Sequence, residues 1–275
     1  MATTTAKVNS VAGKKIIGYL PNDAPPWGPM IGLAFQHVLT MFPATVLVAI
    51  LTSFDIGVTL FASGLATVIA LLLSSRLAKS YIPLYYGSSF SYIAPIVAIT
   101  TTNIYGIDDP VTRIRIAQGG IMMTGVLNIL IGLLIRYVGK KNLDKVLPPE
   151  VTGSVATVIG IALAYTALSM AQSNWAVSLI TLFVTIMLSV YLRGRGFIGM
   201  IPILLGALVG YIVSIPLGLV DFGPVGAAPW VALPPFTLPI FTGAAILAIA
   251  PIAIATIPES TAHLYQISLY VDQLA

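Results

Sequence analysis

Cysteine is absent from the 275 residues, and charged residues make up only 8% of them. Without cysteine the chain has no disulfide framework, thiolate metal site or cysteine nucleophile. Typical soluble domains carry roughly 25% charged residues. With 57% hydrophobic residues, a water-soluble globule of this composition would expose a mostly apolar surface, which soluble monomers avoid. The composition therefore predicts a membrane protein, most of whose surface contacts lipid.

The formal net charge of +4 does not indicate a nucleic-acid partner, because the basic residues lie between apolar runs rather than in one patch. Most of these runs approach the ~20 residues that a helix needs to cross the hydrocarbon core. They predict an all-α polytopic membrane protein with eight spans, at residues 29–52, 56–74, 82–101, 114–135, 151–172, 175–192, 197–218 and 241–271. Residues 1–28 are predicted to form a cytoplasmic N-terminal tail, and residues 29–275 the transmembrane domain.

The loops support this topology, since cytoplasmic loops of membrane proteins are enriched in lysine and arginine. With the N-terminus inside, only Arg113 and Arg115 face the outside, and they lie beside Asp108 and Asp109. The basic residues that face the inside are then Lys7, Lys14, Lys15, Arg76, Lys79, Arg136, Lys140, Lys141, Lys145, Arg193 and Arg195. We therefore predict a multi-pass protein of the plasma or inner membrane with a cytoplasmic N-terminus.

The third predicted span, 82–101, departs from a plain spanning helix. It contains Pro83, Gly87 and Pro95 around the polar run 87–90, and proline removes a backbone donor that a continuous helix needs. Broken backbone at membrane depth is tolerated only where protein or a water-filled cavity satisfies its amides. The third span is therefore predicted to be interrupted and to line a cavity.

Glu259 is the one carboxylate deep inside a predicted span. Placing a charge there costs ~2.5–3.5 kcal/mol on insertion scales, so such a group normally faces a cavity or a partner. His263 follows four residues later, which places it on the same helical face, and Pro258 is expected to disturb the preceding turn. These residues predict a binding site within the membrane. A purely structural pair of Glu259 and His263 is the alternative.

Enzyme chemistry has little support in the sequence. The spans hold no second carboxylate for acid and base work and no phosphate-binding loop. Of the histidines of the chain, His263 shares a span with Glu259 but His37 lies in a distant segment, so the three residues lack the characteristic ligand spacing of a metal site. We expect a protein that is not an enzyme and that needs neither a metal ion nor an organic cofactor.

Several motifs along the whole chain resemble the nucleobase and ascorbate transporter family, the nucleobase:cation symporters that include bacterial uracil and xanthine permeases. The matching stretches are Gly32-Leu33-Ala34-Phe35-Gln36-His37, Tyr86-Gly87-Ser88-Ser89-Phe90, Leu147-Pro148-Pro149-Glu150-Val151-Thr152-Gly153, Ile201-Pro202-Ile203-Leu204-Leu205-Gly206 and Trp230-Val231-Ala232-Leu233-Pro234. The resemblance implies a fold of fourteen spans in two inverted seven-span repeats, with the third and tenth spans broken by short strands that face the substrate at the midplane.

The resemblance also implies roles for residues of the third and eighth spans. Glu259 matches the glutamate that holds the base, and His263 matches a histidine implicated in proton coupling. Phe90 matches the residue whose backbone amide meets the substrate, with Ser89 beside it in the binding segment. The coupling ion implied by the resemblance is a proton.

In the first span the resemblance makes Gln36 and His37 a supporting network, the Gln-His motif of the family. A neutral histidine that simply packs against a neighbouring span is the alternative for His37. The complete form is expected to be a homodimer in the lipid bilayer.

His263 fits the uracil permeases of this family better than the purine permeases, so uracil is the first expected substrate, imported with protons. Uracil permeases often read Glu-His-x-Gly-His where this chain reads Glu259-Ser260-Thr261-Ala262-His263, so xanthine or another purine remains the alternative. The chain ends at Ala275, after the eighth span, and the resemblance implies that the tenth span and the rest of the second repeat are missing. A non-transporting membrane fragment is therefore a further alternative.

Overall fold

The computed structural model describes residues 8–11, 14–17, 19–139, 149–195 and 198–274. Helices dominate these residues. The α-helices are α1 Trp27–Thr52, α2 Ile56–Leu77, α3 Ile93–Thr100, α4 Pro110–Val138, α5 Pro149–Ala171, α6 Trp175–Tyr191, α7 Pro202–Ser214, α8 Gly223–Ala227, α9 Gly243–Ile249 and α10 Ala253–Leu274. Short 3-10 helices cover Phe90–Tyr92, Ile198–Met200 and Ala250–Ile252.

Eight apolar helical segments coincide with the eight predicted spans. Among the described residues, five are long and apolar enough to cross a membrane: Trp27–Thr52, Ile56–Leu77, Pro110–Tyr137, Gly153–Ala171 and Gly243–Thr261. Three shorter apolar helices occupy the remaining predicted spans: Phe90–Thr100, Trp175–Tyr191 and Pro202–Ser214. The all-α polytopic fold class is thereby confirmed. The arrangement in inverted repeats stays a prediction.

Two strands precede the first helix. Strands β1 Val8–Val11 and β2 Lys14–Ile17 pair in antiparallel fashion, with Val8 opposite Ile17. The sequence predicted a cytoplasmic N-terminal tail here and indicated no strands in it. The hairpin is short and lies outside the predicted transmembrane domain, so it leaves the helical membrane architecture unchanged.

Polar residues at the span boundaries begin several helices. The Asp55 carboxylate accepts a hydrogen bond from the Val58 N–H at 2.8 Å at the start of α2. Asn174 does the same for the Val177 N–H at 3.1 Å at the start of α6, and Asp109 caps α4. Because the first N–H groups of a helix have no partner within it, these side chains stabilise helix ends at the positions where the spans begin.

The third span is interrupted as predicted, but not by a strand. Residues 81–89 have no regular secondary structure and lead into the 3-10 turn Phe90–Tyr92 and then α3. Two of their backbone N–H groups donate to hydroxyl groups of α2: Tyr86 N–H to Thr67 Oγ1 at 3.0 Å, and Ile82 N–H to Ser74 Oγ at 3.2 Å. The predicted strand is wrong for the described chain, because these amides bond to side chains and not to a neighbouring strand.

The eighth span is also interrupted, at a place that sequence reasoning did not predict. Its helix changes from α9 to the 3-10 segment Ala250–Ile252 and then to α10, around Pro251. The Thr124 hydroxyl of α4, which donates to the Gly120 carbonyl at 3.1 Å, also lies 3.4 Å from the Ile249 carbonyl, so its one proton can be shared with that carbonyl where the α-helical pattern stops. Pro258, where a disturbance was expected, lies buried inside α10.

The backbone forms two compact units by contact clustering: one of Met1–Pro25, Val46–Gly160 and Pro235–Ala275, here called the first unit, and one of Pro26–Thr45 and Ile161–Pro234, the second unit. The first unit has a buried core where α3, α4 and α9 meet, made of Ile96, Ile99, Ile116, Ala117, Ala245 and Ile249. Glycine makes this close packing possible, since a Cβ at Gly119 would overlap the Ile240 carbonyl.

The second unit is built around the helix pair α6 and α7. A Cβ at Gly206 would overlap Thr185 Oγ1, and a Cβ at Gly210 would overlap Thr181 Oγ1. Both pairs repeat at a spacing of four residues, so one face of each helix carries the contact. Small residues that let two backbones approach closely are the usual basis of helix pairing in membranes.

Candidate functional site

Glu259 meets the interrupted third span in the first unit. Its Oε2 atom accepts a hydrogen bond from Ser89 Oγ at 2.9 Å and one from Ser91 Oγ at 3.1 Å. Glu259 lies half-buried on α10. The structure thus brings together two predicted site residues, Glu259 and Ser89, that are 170 positions apart in sequence.

The 3-10 turn orients both serines. Ser89 is its N-cap, with an extended backbone, and its hydroxyl accepts a hydrogen bond from the Ser91 N–H at 3.3 Å. The Tyr92 N–H donates to the Ser89 carbonyl, also at 3.3 Å. Because the Ser89 hydroxyl accepts from the turn, its one proton is available for Glu259. The same turn therefore sets the positions of both donors.

The carboxylate keeps part of its hydrogen-bonding capacity. Both serine bonds use Oε2, and an ionised carboxylate can accept at two oxygens. The lone pairs of Oε1 are thus suited to an N–H donor of a ligand. Bonds to a charged acceptor are stronger than bonds between neutral groups, so this oxygen is the dominant polar feature of the site.

Phe90 lies between the two serines, as the first residue of the 3-10 turn, with a partly buried side chain. The first N–H of a helix has no partner within that helix. The Phe90 N–H is thus a donor without a helical partner, in the segment between the two serines that bond to Glu259. This position agrees with the substrate contact expected for Phe90, which stays a prediction.

His263 lies one helical turn after Glu259 on α10, as its spacing requires, and its side chain is exposed. No hydrogen bond between the two side chains occurs in the described part of the chain. Gln36 and His37 lie on the part of α1 that belongs to the second unit; Gln36 is buried and His37 is exposed. The roles of His263 in proton coupling and of Gln36 and His37 in a supporting network stay predictions.

Sequence reasoning missed Ser91 and also Thr256, a buried polar residue of α10. Ser91 belongs to the sequence Ser89-Phe90-Ser91, and this alternation was the available signal: in an extended or capping backbone, residues two apart can face the same group. Thr256 offered another signal, because it precedes Glu259 by three residues on the same helical face. No group of three metal-ligating side chains occurs among the described residues.

Comparison with known proteins gives a consistent result. The profile of a permease family matches residues 29–275. Uracil permease of Bacillus caldolyticus is 39% identical over 217 residues, which cover 76% of this chain and 47% of that protein. Uracil permease of Bacillus subtilis strain 168 is 35% identical over 230 residues, covering 79% and 49%. Uracil permease of Escherichia coli K12 is 36% identical over 220 residues, covering 76% and 48%.

These relatives are named as permeases and not as enzymes. The chain spans about half the length of each of them. The family match covers every predicted span, and the apolar helices make the chain a multi-pass membrane protein. The chain therefore belongs to the permease family of nucleobase and ascorbate transporters.

Proposed function

We propose that the complete gene product containing this chain imports uracil across the cell membrane together with protons. The carboxylate of Glu259, held by Ser89 and Ser91 at the interruption of the third span, is the observation that carries this proposal. A half-buried acceptor close to the Phe90 N–H is suited to a small neutral solute with polar edges. The names of the relatives support uracil as that solute.

The chemistry of uracil matches this arrangement. Its ring carries N–H groups next to carbonyl oxygens, so one edge offers both donors and acceptors. In the proposed complex Glu259 Oε1 accepts from a ring N–H, and the Phe90 N–H donates to a ring carbonyl. Ligand sites of this kind use few polar groups, each placed to fix orientation. Ser89 and Ser91 keep the carboxylate in the orientation that the ring requires.

Proton coupling is proposed to act through Glu259 and His263. Protonation turns a carboxylate from an acceptor into a group that can also donate, and it removes the charge. A change of charge at membrane depth alters the free energy of any state that buries the site. Binding of the proton would therefore favour movement of the loaded site between the two sides of the membrane. We propose that the N-terminus lies in the cytoplasm and that the complete form is a homodimer.

The test is uptake of radiolabelled uracil by cells that lack their own uracil permease, at two external pH values. The complete gene product should take up uracil faster at the lower pH. Glu259→Gln should abolish uptake, whereas Glu150→Gln, at the exposed start of α5, should leave it unchanged. Uptake that is independent of pH would exclude proton coupling, and uptake that survives in Glu259→Gln would exclude the proposed site.

Xanthine or another purine is the second candidate substrate. It is favoured by the sequence after the carboxylate, where Ser260 and Ala262 replace the inner histidine and the glycine that are often found in uracil permeases. Competition of labelled uracil uptake by unlabelled xanthine and by unlabelled uracil separates the candidates. Displacement by xanthine at lower concentration than by uracil would assign the protein to the purines.

A further inference from the structure

A cluster of four polar side chains lies next to the serine pair in the first unit. Tyr92, the last residue of the 3-10 turn, directly follows Ser91. Its half-buried side chain interacts with those of Thr256 on α10 and of Thr124 and Asn128 on α4. The cluster therefore connects the turn that carries the serines to the two helices behind it.

The threonines attach the cluster to the backbone of these helices. Thr124 Oγ1 donates to the Gly120 carbonyl at 3.1 Å. Thr256 Oγ1 donates to the Ala253 carbonyl at 3.2 Å, three residues before Glu259. Since a hydroxyl has one proton and two lone pairs, the Thr256 oxygen can still accept the single proton of the Tyr92 hydroxyl, and the Asn128 amide nitrogen can donate to the tyrosine oxygen. With these two partners the tyrosine hydroxyl bridges α4 and the helix that carries Glu259.

The stability of the folded state does not explain why residue 128 is an asparagine. Its Oδ1 atom is buried and accepts no hydrogen bond from the described residues. Turning the side-chain amide around would place Nδ2 there instead, so one end of the amide lacks a protein partner in either orientation. Buried polar groups without partners destabilise the folded state. A leucine of similar size would avoid this destabilisation, which indicates that the contact of Asn128 with Tyr92 serves the site.

We propose that Tyr92 is a positioning residue for substrate binding, whose hydroxyl, held by Asn128 and Thr256, keeps Ser89 and Ser91 hydrogen-bonded to Glu259. This proposal rests on the proposed function, since the substrate is the nucleobase bound by Glu259. Tyr92 acts through the turn and does not touch the base. A site that is ordered before binding spends less free energy on ordering when the ligand arrives. Loosening the turn should therefore weaken binding more than it slows movement of the loaded site.

The first test is Tyr92→Phe in the complete gene product, which removes only the hydroxyl. The apparent KM for uracil should rise about 3- to 10-fold, the effect of one lost hydrogen bond, with the maximal rate within about twofold. Tyr105→Phe is the matched control, because Tyr105 packs against the same core cluster from the segment that follows α3, and the KM of this variant should not change. An unchanged KM in Tyr92→Phe would overturn the proposal.

A double-mutant cycle separates positioning from a general structural role. If Tyr92 acts through the serine pair, Tyr92→Phe should raise KM much less in a Ser91→Ala background than in the native protein, because interacting residues are not additive. Fully additive effects would show that Tyr92 acts by another route and would overturn the proposal.

Asn128→Leu gives effects of opposite direction on stability and binding. It removes the unpaired Oδ1, so the melting temperature without ligand should stay the same or rise. The KM for uracil should nevertheless rise, as in Tyr92→Phe. A higher melting temperature with an unchanged KM would mean that the amide has no part in binding, and would overturn the role of Asn128.

Hydrogen exchange of the purified protein, without substrate, tests the positioning independently of uracil. Amides of residues 86–92 should exchange faster in Tyr92→Phe than in native protein or in Tyr105→Phe, because their local opening becomes easier. If the native protein takes up no uracil but this difference is present, the proposed function fails and the positioning role stands. Equal exchange in all three proteins would overturn the positioning role whatever the substrate.

Discussion

The helices of the two units are stabilised in different ways. In the second unit α6 and α7 are continuous, and Gly206 and Gly210 let the helices approach each other closely. In the first unit two spans are interrupted, at residues 81–92 and 250–252. Side-chain hydroxyl groups then replace part of the lost helical hydrogen bonding. Continuous helices satisfy their own backbone, whereas interrupted ones depend on neighbours.

The difference shows where a binding site can be built. A continuous helix has no spare backbone donors, so it can offer a ligand only its side chains. The interrupted third span offers the Phe90 amide together with Ser89 and Ser91, and all three lie beside Glu259. The irregular backbone of the first unit is therefore the part suited to recognising a polar solute.

The largest loss of stability is expected from a substitution at the contact between α6 and α7 in the second unit. Gly206→Leu places a large side chain where a single Cβ already overlaps Thr185. Overpacking typically costs about 1–3 kcal/mol and at times more, so the amount of monodisperse protein in detergent should fall severely. Gly64→Leu is the control, since Gly64 in α2 has open space around it. Normal yield of Gly206→Leu would show that the α6–α7 contact is looser than in the structure.

A milder variant sharpens this prediction. Gly206→Ala should lower the melting temperature, and Thr185→Ala should restore part of the loss in the double variant, because it removes the hydroxyl that the new Cβ would overlap but leaves the Cβ of residue 185 at 2.9 Å. Failure of Thr185→Ala to restore stability would place the source of the destabilisation elsewhere.

The next effect concerns the serine pair of the first unit. Ser89→Ala and Ser91→Ala should each raise the apparent KM for uracil about 3- to 10-fold, since each removes one hydrogen bond to a charged acceptor. The double variant should lose more than either single variant, with little change in yield. Uracil uptake with a native KM in the double variant would show that Glu259 needs neither hydroxyl.

A smaller effect is expected where hydroxyl groups of α2 replace helical hydrogen bonds. Thr67→Val leaves the Tyr86 N–H without its partner, and an unpaired buried donor costs about 1–3 kcal/mol. Because Tyr86 is exposed and water can reach its N–H, the loss should be at or below the lower end of that range. Thr157→Val on α5 is the control, because its hydroxyl donates only to its own helix, at Gly153. Equal melting temperatures of the two variants would mean that water replaces Thr67.

The smallest effect is expected at the exposed cap of α4. Hydrogen bonds from the Thr112 side chain and backbone lower the pKa of Asp109 below its usual value. A carboxyl whose pKa is depressed by folding contributes stability above its unfolded pKa and loses it as the pH falls through its folded pKa. Asp109→Ala should therefore lower the melting temperature slightly at neutral pH. This difference should begin to shrink below about pH 4, the unfolded pKa, and vanish only when the pH is below the depressed pKa of the folded state. Asp108→Ala, next to it, is the control. A difference that persists in acid would exclude the charged cap as its cause.

The sequence alone determined that the chain lies in a membrane, how many spans it has and where they lie, that the third span is interrupted, and that Glu259 marks the candidate site. These properties follow from local signals, namely apolar length, proline and glycine within a span, and a carboxylate at membrane depth. Only the tertiary structure decided that Ser89 and Ser91 bond to Glu259 and that the eighth span breaks at Pro251 and not at Pro258. Both depend on partners far away in sequence, such as the Thr124 hydroxyl at the Ile249 carbonyl, and no local pattern specifies which distant hydroxyl satisfies which group.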